Sequence, residues 1–300
     1  MPNRLKTRKI SYEKKKSIAG FLFILPWILG AAYFVIIPVI MSFVYSISKV
    51  KVTTNGYVIK LIGFENYSSI FTTDPDFTRK TVSSLQNMML QVPVVVLLSL
   101  FIAIILNQKF FGRTMARVMF FLPVIITSGI VISVISGDVF SQTVMQSSGS
   151  SQLMKSDFLN AYLRESGFSD QIVQVITNLV DSIFTLIWKS GIQILIFLAG
   201  LQTIQPSMYE AAQVEGSTAW ETFWFVTFPM ISPIILLNVI YSIVDNFTDY
   251  TNQVMVYINQ LAINLHIEMS SAMAWSYFAV VMVIVTVIYL LVNKKVFYQK

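Results

Sequence analysis

The stretch QPSMYEAAQVEGSTAWETFWFVTFPMISP, Gln205–Pro233, lies between two runs that are apolar almost throughout. Pro206 suits the first position of a helix, where its missing N–H costs nothing. Met208, Ala211, Ala212 and Glu215 then fall on one helical stripe, and the adjacent alanines let another surface approach the backbone closely. Gly216 stops that helix, because glycine accepts the left-handed conformation a C′ position needs. Thr218 and Glu221 form a T-x-x-E capping box that starts a second short helix. Trp220, Phe223 and Trp224 give this helix an aromatic side, and Pro229 and Pro233 mark the start of the next apolar run. Two roles fit two short capped helices set in so hydrophobic a chain. One is a docking element for another protein; the other is an ordinary connection, capped because all helices need caps.

The surroundings of the stretch identify its solvent. Of 300 residues 55% are hydrophobic and only 12% charged, against about 25% charged in an ordinary soluble domain. A water-soluble fold of this size cannot hide that much apolar surface, so the bilayer is the expected solvent. Six runs approach the roughly 20 apolar residues a helix needs to cross it: Ser17–Ser46, Thr81–Leu106, Met115–Ile135, Ile176–Leu201, Phe225–Val244 and Ala272–Val292. The expected fold class is an all-α polytopic membrane protein with six transmembrane helices. Residues 1–16 form a basic tail, 17–293 the membrane domain with the loop 202–229 inside it, and 294–300 a second basic tail. Pro26, Pro38, Pro93 and Pro123 predict kinked helices. The first run is too long for the apolar core of a cleaved signal peptide.

Charge orients the spans. The N-terminal tail, NQKFFGRTMAR and NKKVFYQK together hold thirteen Lys/Arg, whereas the alternate loops hold seven, and Lys189 lies within a span. The positive-inside rule then puts both termini in the cytoplasm. Gln205–Glu221, which has no Lys or Arg, falls on the same side by alternation. Two outer loops are long: Lys49–Lys80, turn-rich and ordered, and Asp138–Gln171, Ser/Gln-rich before a helical LMKSDFLNAYLRESG.

Catalytic and metal signatures are missing from the sequence. It has no cysteine and one histidine, His266, so no Cys/His metal set can form. There is no G-x-x-x-x-G-K-[ST] loop for ATP, no H-E-x-x-H and no G-x-S-x-G. The +6 charge is concentrated beside an apolar run, which points to a membrane flank and away from nucleic acid.

EAAQVEGS followed by FPMISP resembles the signature of ABC-importer permeases: Glu-Ala-Ala, three residues to Gly, then an apolar–Pro pair. IFLAGLQTIQPSMYEAA is similar to the carbohydrate branch, the maltose- and glycerol-phosphate-type permeases, and FLFILP agrees with it more loosely. Glu215, Ser217 and Phe228 stand where Asp, Ala and Leu are common, and keep size or charge roughly intact. The resemblance implies a type I ABC importer permease fold, with Glu210, Ala211, Ala212, Glu215, Gly216, Ser217, Phe223 and Pro229 seated in a cleft of a cytosolic ATPase. It further implies two ATP-binding subunits that carry ATP and Mg, a second related permease, an extracellular solute-binding protein and a bacterial plasma membrane. This chain itself would bind no cofactor and catalyse nothing.

Polar residues inside spans are costly and mark either a solute path or helix-to-helix contacts. Asn87 and Gln91 in the second span qualify, as do Trp188, Lys189 and Gln193 in the fourth. Asn238, Tyr241, Asp245, Asn246 and Asp249 complete the set, in and just beyond the fifth. Rings beside amides and carboxylates are the chemistry a sugar needs, since rings stack on its C–H faces and polar groups bond its hydroxyls. A self-sufficient secondary transporter or channel is the competing class, and would need midplane carboxylate pairs or inverted repeats. A membrane sensor or assembly factor leaves the capped loop unexplained.

Overall fold

The computed structural model describes residues 12–53, 56–108, 110–127, 157–166, 168–249 and 251–294. In chain order they form α1 (Tyr12–Ala31), a π turn (Ala32–Ile36), α2 (Ile37–Ser46), β1 (Ser48–Thr53), β2 (Gly56–Leu61) and α3 (Glu65–Thr72). Next come α4 (Pro75–Asn107), α5 (Arg113–Thr127), α6 (Asp157–Glu165), α7 (Asp170–Lys189) and α8 (Gly191–Gln202). The chain continues with α9 (Pro206–Val214), α10 (Ala219–Thr222), a second π turn (Phe223–Thr227), α11 (Phe228–Thr248), α12 (Gln253–Ile263) and α13 (Ile267–Asn293).

Four helical stretches among the described residues are long and apolar enough to cross a bilayer: Lys16–Ser46, Pro75–Asn107, Ala219–Ile263 and Ile267–Asn293. They contain the first, second, fifth and sixth expected spans almost entirely. The third expected span, Met115–Ile135, is helical up to Thr127, and 128–135 lie outside the described residues, as do 1–11 and 295–300. The fourth, Ile176–Leu201, is not one helix. It breaks at Ser190, whose N–H is shared between Leu186 and Ile187 carbonyls and whose Oγ donates to Ile187 O at 2.8 Å. Gly191, a weak helix former, opens the new helix there.

The described residues are mostly helical, with one short exception. β1 and β2 form an antiparallel hairpin inside the loop expected to be turn-rich and ordered. KVKV on the first strand alternates lysine with β-branched valine, and YVI on the second is aromatic and β-branched. In the sequence, Asn55-Gly56 at the start of the second strand is a hairpin signal. The second part of that loop is expected only as turns, yet Glu65–Thr72 is α3.

Two compact units make up the chain: Met1–Thr78 with Tyr257–Phe278, and Arg79–Val256 with Ala279–Lys300. In the first, Asn66 Nδ2 donates to Ser46 O (2.9 Å) and Ser48 O (2.8 Å), and Tyr67 OH donates to Ser46 Oγ (2.8 Å). These bonds bind the base of the hairpin to the end of α2. Asp74 accepts from Phe77 N (3.1 Å) and from Tyr257 OH (2.7 Å), above the buried Ile70 and Phe77.

In the second unit the core runs between α8 and α11, with Ile194, Phe197, Ile231, Leu236 and Ile243 buried. At Gly200 the two helices pack closely. A Cβ there would stand 2.8 Å from Ile234 Cγ1, so only glycine lets the helices meet at that distance.

Both π turns precede a proline. Ile37 N–H bonds Ala32 O just before Pro38, and Phe228 N–H bonds Phe223 O just before Pro229. Proline has no N–H for the carbonyl four residues back, and the wider turn immediately upstream accommodates that gap.

Candidate functional site

The loop after α8 is built by local rules. Gln205 is extended (φ −64°, ψ 132°) and Pro206 occupies the first turn of α9. The helix ends in a Schellman motif. Gly216 N–H bonds Gln213 O and Ser217 N–H bonds Ala212 O, each at 3.0 Å, with Gly216 at φ 80°. Ser217 Oγ adds a bond to Ala212 O at 2.8 Å. Thr218 then forms the expected capping box: its N–H donates to Glu221 Oε2 (2.8 Å) and its Oγ1 accepts from Glu221 N (3.3 Å).

Beyond the capping box the chain departs from the expected second short helix. α10 is a single turn that runs through the π turn into α11 without interruption. Trp220, Phe223, Trp224 and Phe228 interlock along it, with ring centroids 5.1 Å apart for Phe223–Trp224 and Trp224–Phe228. The loop is therefore the head of a membrane-length rod.

Its faces divide cleanly. Ala212 is buried, while Glu210, Ala211, Glu215 and Gly216 are exposed, and nothing lies within 4 Å of a Cβ placed on Gly216. Ser217 and Phe223 are half-buried and line an open cavity of about 460 Å³ with Asn107, Gln108, Tyr209, Gln213 and Thr227. Among the described residues, none that lines this cavity is charged.

The intramembrane polar residues gather at a second place. Gln91, Lys189, Gln193, Ser242, Asp245, Asn246 and Asp249 line a narrow crevice of about 20 Å³ whose apolar side is Val92 and Val95. Lys189, at the end of α7, pairs with Asp249, just past the end of α11. Asp249 Oδ1 also accepts from Thr251 N (2.8 Å) and Oγ1 (2.6 Å). Asn246 Nδ2 donates to Gln91 Oε1 at 2.7 Å. Two carboxylates against one ammonium leave the crevice an excess negative charge when both are ionised.

Of the expected pathway residues, Gln91, Gln193, Asp245, Asn246 and Asp249 meet in this crevice. Asn238 is fully buried and donates to Gln193 O at 2.9 Å, which joins α11 to α8. Tyr241 does not line the crevice and Asn87 is exposed. The side chain of Trp188 lies outside the described residues. Gln193 Oε1, Asn238 Oδ1 and Ser242 Oγ are buried with no hydrogen-bond partner among the described residues. Sequence reading missed Ser242, although it sits four residues after Asn238 and three before Asp245 on the same helical face. It also missed Asn252, which accepts from Ser84 Oγ (3.1 Å) and donates to Asn246 O (3.2 Å). One turn beyond the apolar run, it gave no periodic signal.

Comparison with known proteins decides the family. Residues 69–294 match the family described as binding-protein-dependent transport system inner membrane component. The chain belongs to this family of transport permeases. A probable ABC transporter permease of Bacillus subtilis, YesP, is 30% identical over 94% of this chain and 91% of its own length. The lactose transport permease LacF of Rhizobium radiobacter is 27% identical over 93% and 95%. The arabinooligosaccharide transport permease AraP of B. subtilis is 28% identical over 80% and 72%. A bacterial ABC transporter crystal structure, from a system that imports the acidic polysaccharide alginate, superposes with TM-score 0.62 at 19% identity, covering 94% of this chain and 97% of that one. That likeness establishes the shared fold. As a permease of a binding-protein-dependent import system, the protein is a multi-pass component of the membrane.

Proposed function

We propose that this permease carries a carbohydrate, an oligosaccharide, and forms one half of a pore completed by a second, related permease. The reading gives it six spans with both termini in the cytoplasm. ATP and Mg are bound by two cytosolic ATPase subunits, and an extracellular binding protein delivers the solute. The family's sugar-transporting relatives support the solute class.

The observation that carries the coupling role is the form of Glu210–Pro229. A buried Ala212, an exposed acidic edge and an open Gly216 sit at the head of a rod that continues into the membrane. When ATP closes the ATPase dimer, the cleft that holds this loop moves and the rod carries the movement to the crevice. There, Gln91, Gln193, Asp245 and Asn246 bond solute hydroxyls. The orphaned oxygens of Gln193, Asn238 and Ser242 are acceptors that a hydroxylated solute or water satisfies.

Purification of the tagged protein in mild detergent, with mass spectrometry of its companions, tests the assembly. An ATP-binding subunit and a second permease are expected. Recovery of this chain alone, still moving solute in vesicles, would overturn the reading. Within the assembled transporter, Gly216→Trp should leave ATP hydrolysis running while sugar uptake is lost; wild-type uptake would remove the loop from the coupling path.

A further inference from the structure

The hairpin after the first membrane stretch has two unlike faces. Directly opposed residues of an antiparallel pair share a face. Lys49 with Lys60 and Lys51 with Val58 therefore make one side, and Ser48 with Leu61 and Val50 with Ile59 make the other. All three lysines are exposed. On the opposite side Ser48 and Val50 are buried, yet Tyr57, Ile59 and Leu61 of β2 remain open, at 57%, 41% and 67% exposure.

The hairpin's place in the chain is as informative as its faces. β1 starts two residues after the apolar helix ends at Ser46. Asn66 and Tyr67 tie that junction, and the N–H groups of Ile62 and Gly63 both bond Ile47 O at 3.1 and 3.0 Å. The ribbon is thus tied to the end of the first membrane-length helix. Lys49 opposite Lys60 is a like-charge pair that disfavours the hairpin on its own. These lysines also sit in a loop that the charge rule for membrane topology would keep poor in them.

We propose that this hairpin is an interfacial anchor for anionic lipid. Its open apolar row enters the boundary between headgroups and acyl chains, and its lysines reach lipid phosphates. Apolar residues backed by lysines at the membrane boundary have the composition of an interfacial element. Anionic phosphates relieve the Lys49–Lys60 repulsion that water leaves in place, each surface lysine contributing roughly a fivefold gain in occupancy. Membrane lipid is favoured over an acidic protein because a protein would need no exposed row of Tyr57, Ile59 and Leu61 continuous with a transmembrane helix.

The chain has no cysteine, so one introduced thiol reports a single position. Full-length protein carrying Ile59→Cys, labelled with a small fluorophore, would be placed in phosphatidylcholine vesicles with and without phosphatidylglycerol, each containing lipid brominated near the top of its acyl chain. Strong quenching is expected with phosphatidylglycerol and weak quenching without it. Lys49→Gln with Lys60→Gln should lower the quenched-to-unquenched ratio roughly 25-fold, at about fivefold per lysine. Tyr57→Cys gives a second reporter if the Ile59→Cys variant does not fold, and Val58→Cys on the lysine side should be quenched less than either. A probe left in water in both compositions overturns the proposal, as does quenching indifferent to lipid charge and to the lysines. A probe that lipid does not reach but an added acidic solute-binding protein shields also overturns it, and assigns the hairpin to that protein.

Discussion

Two joints in this chain share a backbone and differ in everything attached to it. At Ala32–Ile36 and at Phe223–Thr227 the helix widens into a π turn, and in each the residue after it precedes a proline, Pro38 or Pro229. The first joint is bare. Tyr33, Phe34, Val35 and Ile36 are all exposed, Phe34 at 75%, and none of the apolar window around them is buried. The second is gripped. Thr227 is buried, its Oγ1 lies 3.3 Å from Tyr209 OH, and four aromatic rings interlock around the turn. Proline chemistry makes the joint; packing decides whether the joint transmits anything. At the first an exposed helix simply shifts its hydrogen-bond register, whereas at the second Tyr209 and Thr227 put α9 in contact with the rod.

The glycines beside the two joints give the largest expected contrast. Gly30 lies just ahead of the first with nothing within 4 Å of its absent Cβ, while Gly200 faces Ile234, just beyond the second. Ile234 is β-branched and stiff at χ1, so it yields poorly to an added methyl. Gly200→Ala should cost about 1–3 kcal/mol of stability in detergent unfolding, through overpacking. Gly30→Ala should be neutral or slightly stabilising, because alanine is the better helix former by about 1 kcal/mol. Equal effects at the two sites would dissolve the distinction between a bare joint and a gripped one.

The prolines separate function from fold. Pro229→Ala restores an N–H and lets the turn return to α geometry, which rotates the rod against α9. Sugar uptake by the assembled transporter should fall several-fold while ATP hydrolysis continues. Pro38→Ala makes the same backbone change where little is attached, and uptake should stay near wild type. Loss of uptake at both positions would mean that the π turn itself, not its packing, is the working element.

The sequence carries the local devices of this comparison in plain form, and little of the packing. Pro206, Gly216 and the Thr218/Glu221 box fix their backbone by rules that act within four residues, and the structure places each where those rules require. Spans are legible by length and hydropathy at Lys16–Ser46, Pro75–Asn107 and Ile267–Asn293. The break at Ser190 is not, because Ser-Gly in an apolar run is tolerated in many unbroken helices and only the surrounding packing selects the break. The hairpin hides behind its position, since a stretch between spans reads as turns even where its β-branched alternation is visible. In the crevice, residue type singles out Gln193 and Asp245. Which amides face the crevice and which join helices depends on neighbours 45 to 155 residues away, as the Asn238–Gln193 and Asn246–Gln91 bonds show.

The smallest expected effect is also the most direct test of the grip. Thr227→Val keeps the shape of the buried side chain and removes the oxygen that meets Tyr209 OH at 3.3 Å and Thr222 O at 3.5 Å. Both bonds are long, so the loss should be about 1 kcal/mol or less. The matching change Tyr209→Phe removes the other partner. If the contact links α9 to the rod, the double variant should cost no more than the larger single one, since each single change already breaks the same bond. Additive losses would show two independent side chains, each serving its own helix, and the route from the loop to the rod would then have to run through the aromatic rings alone.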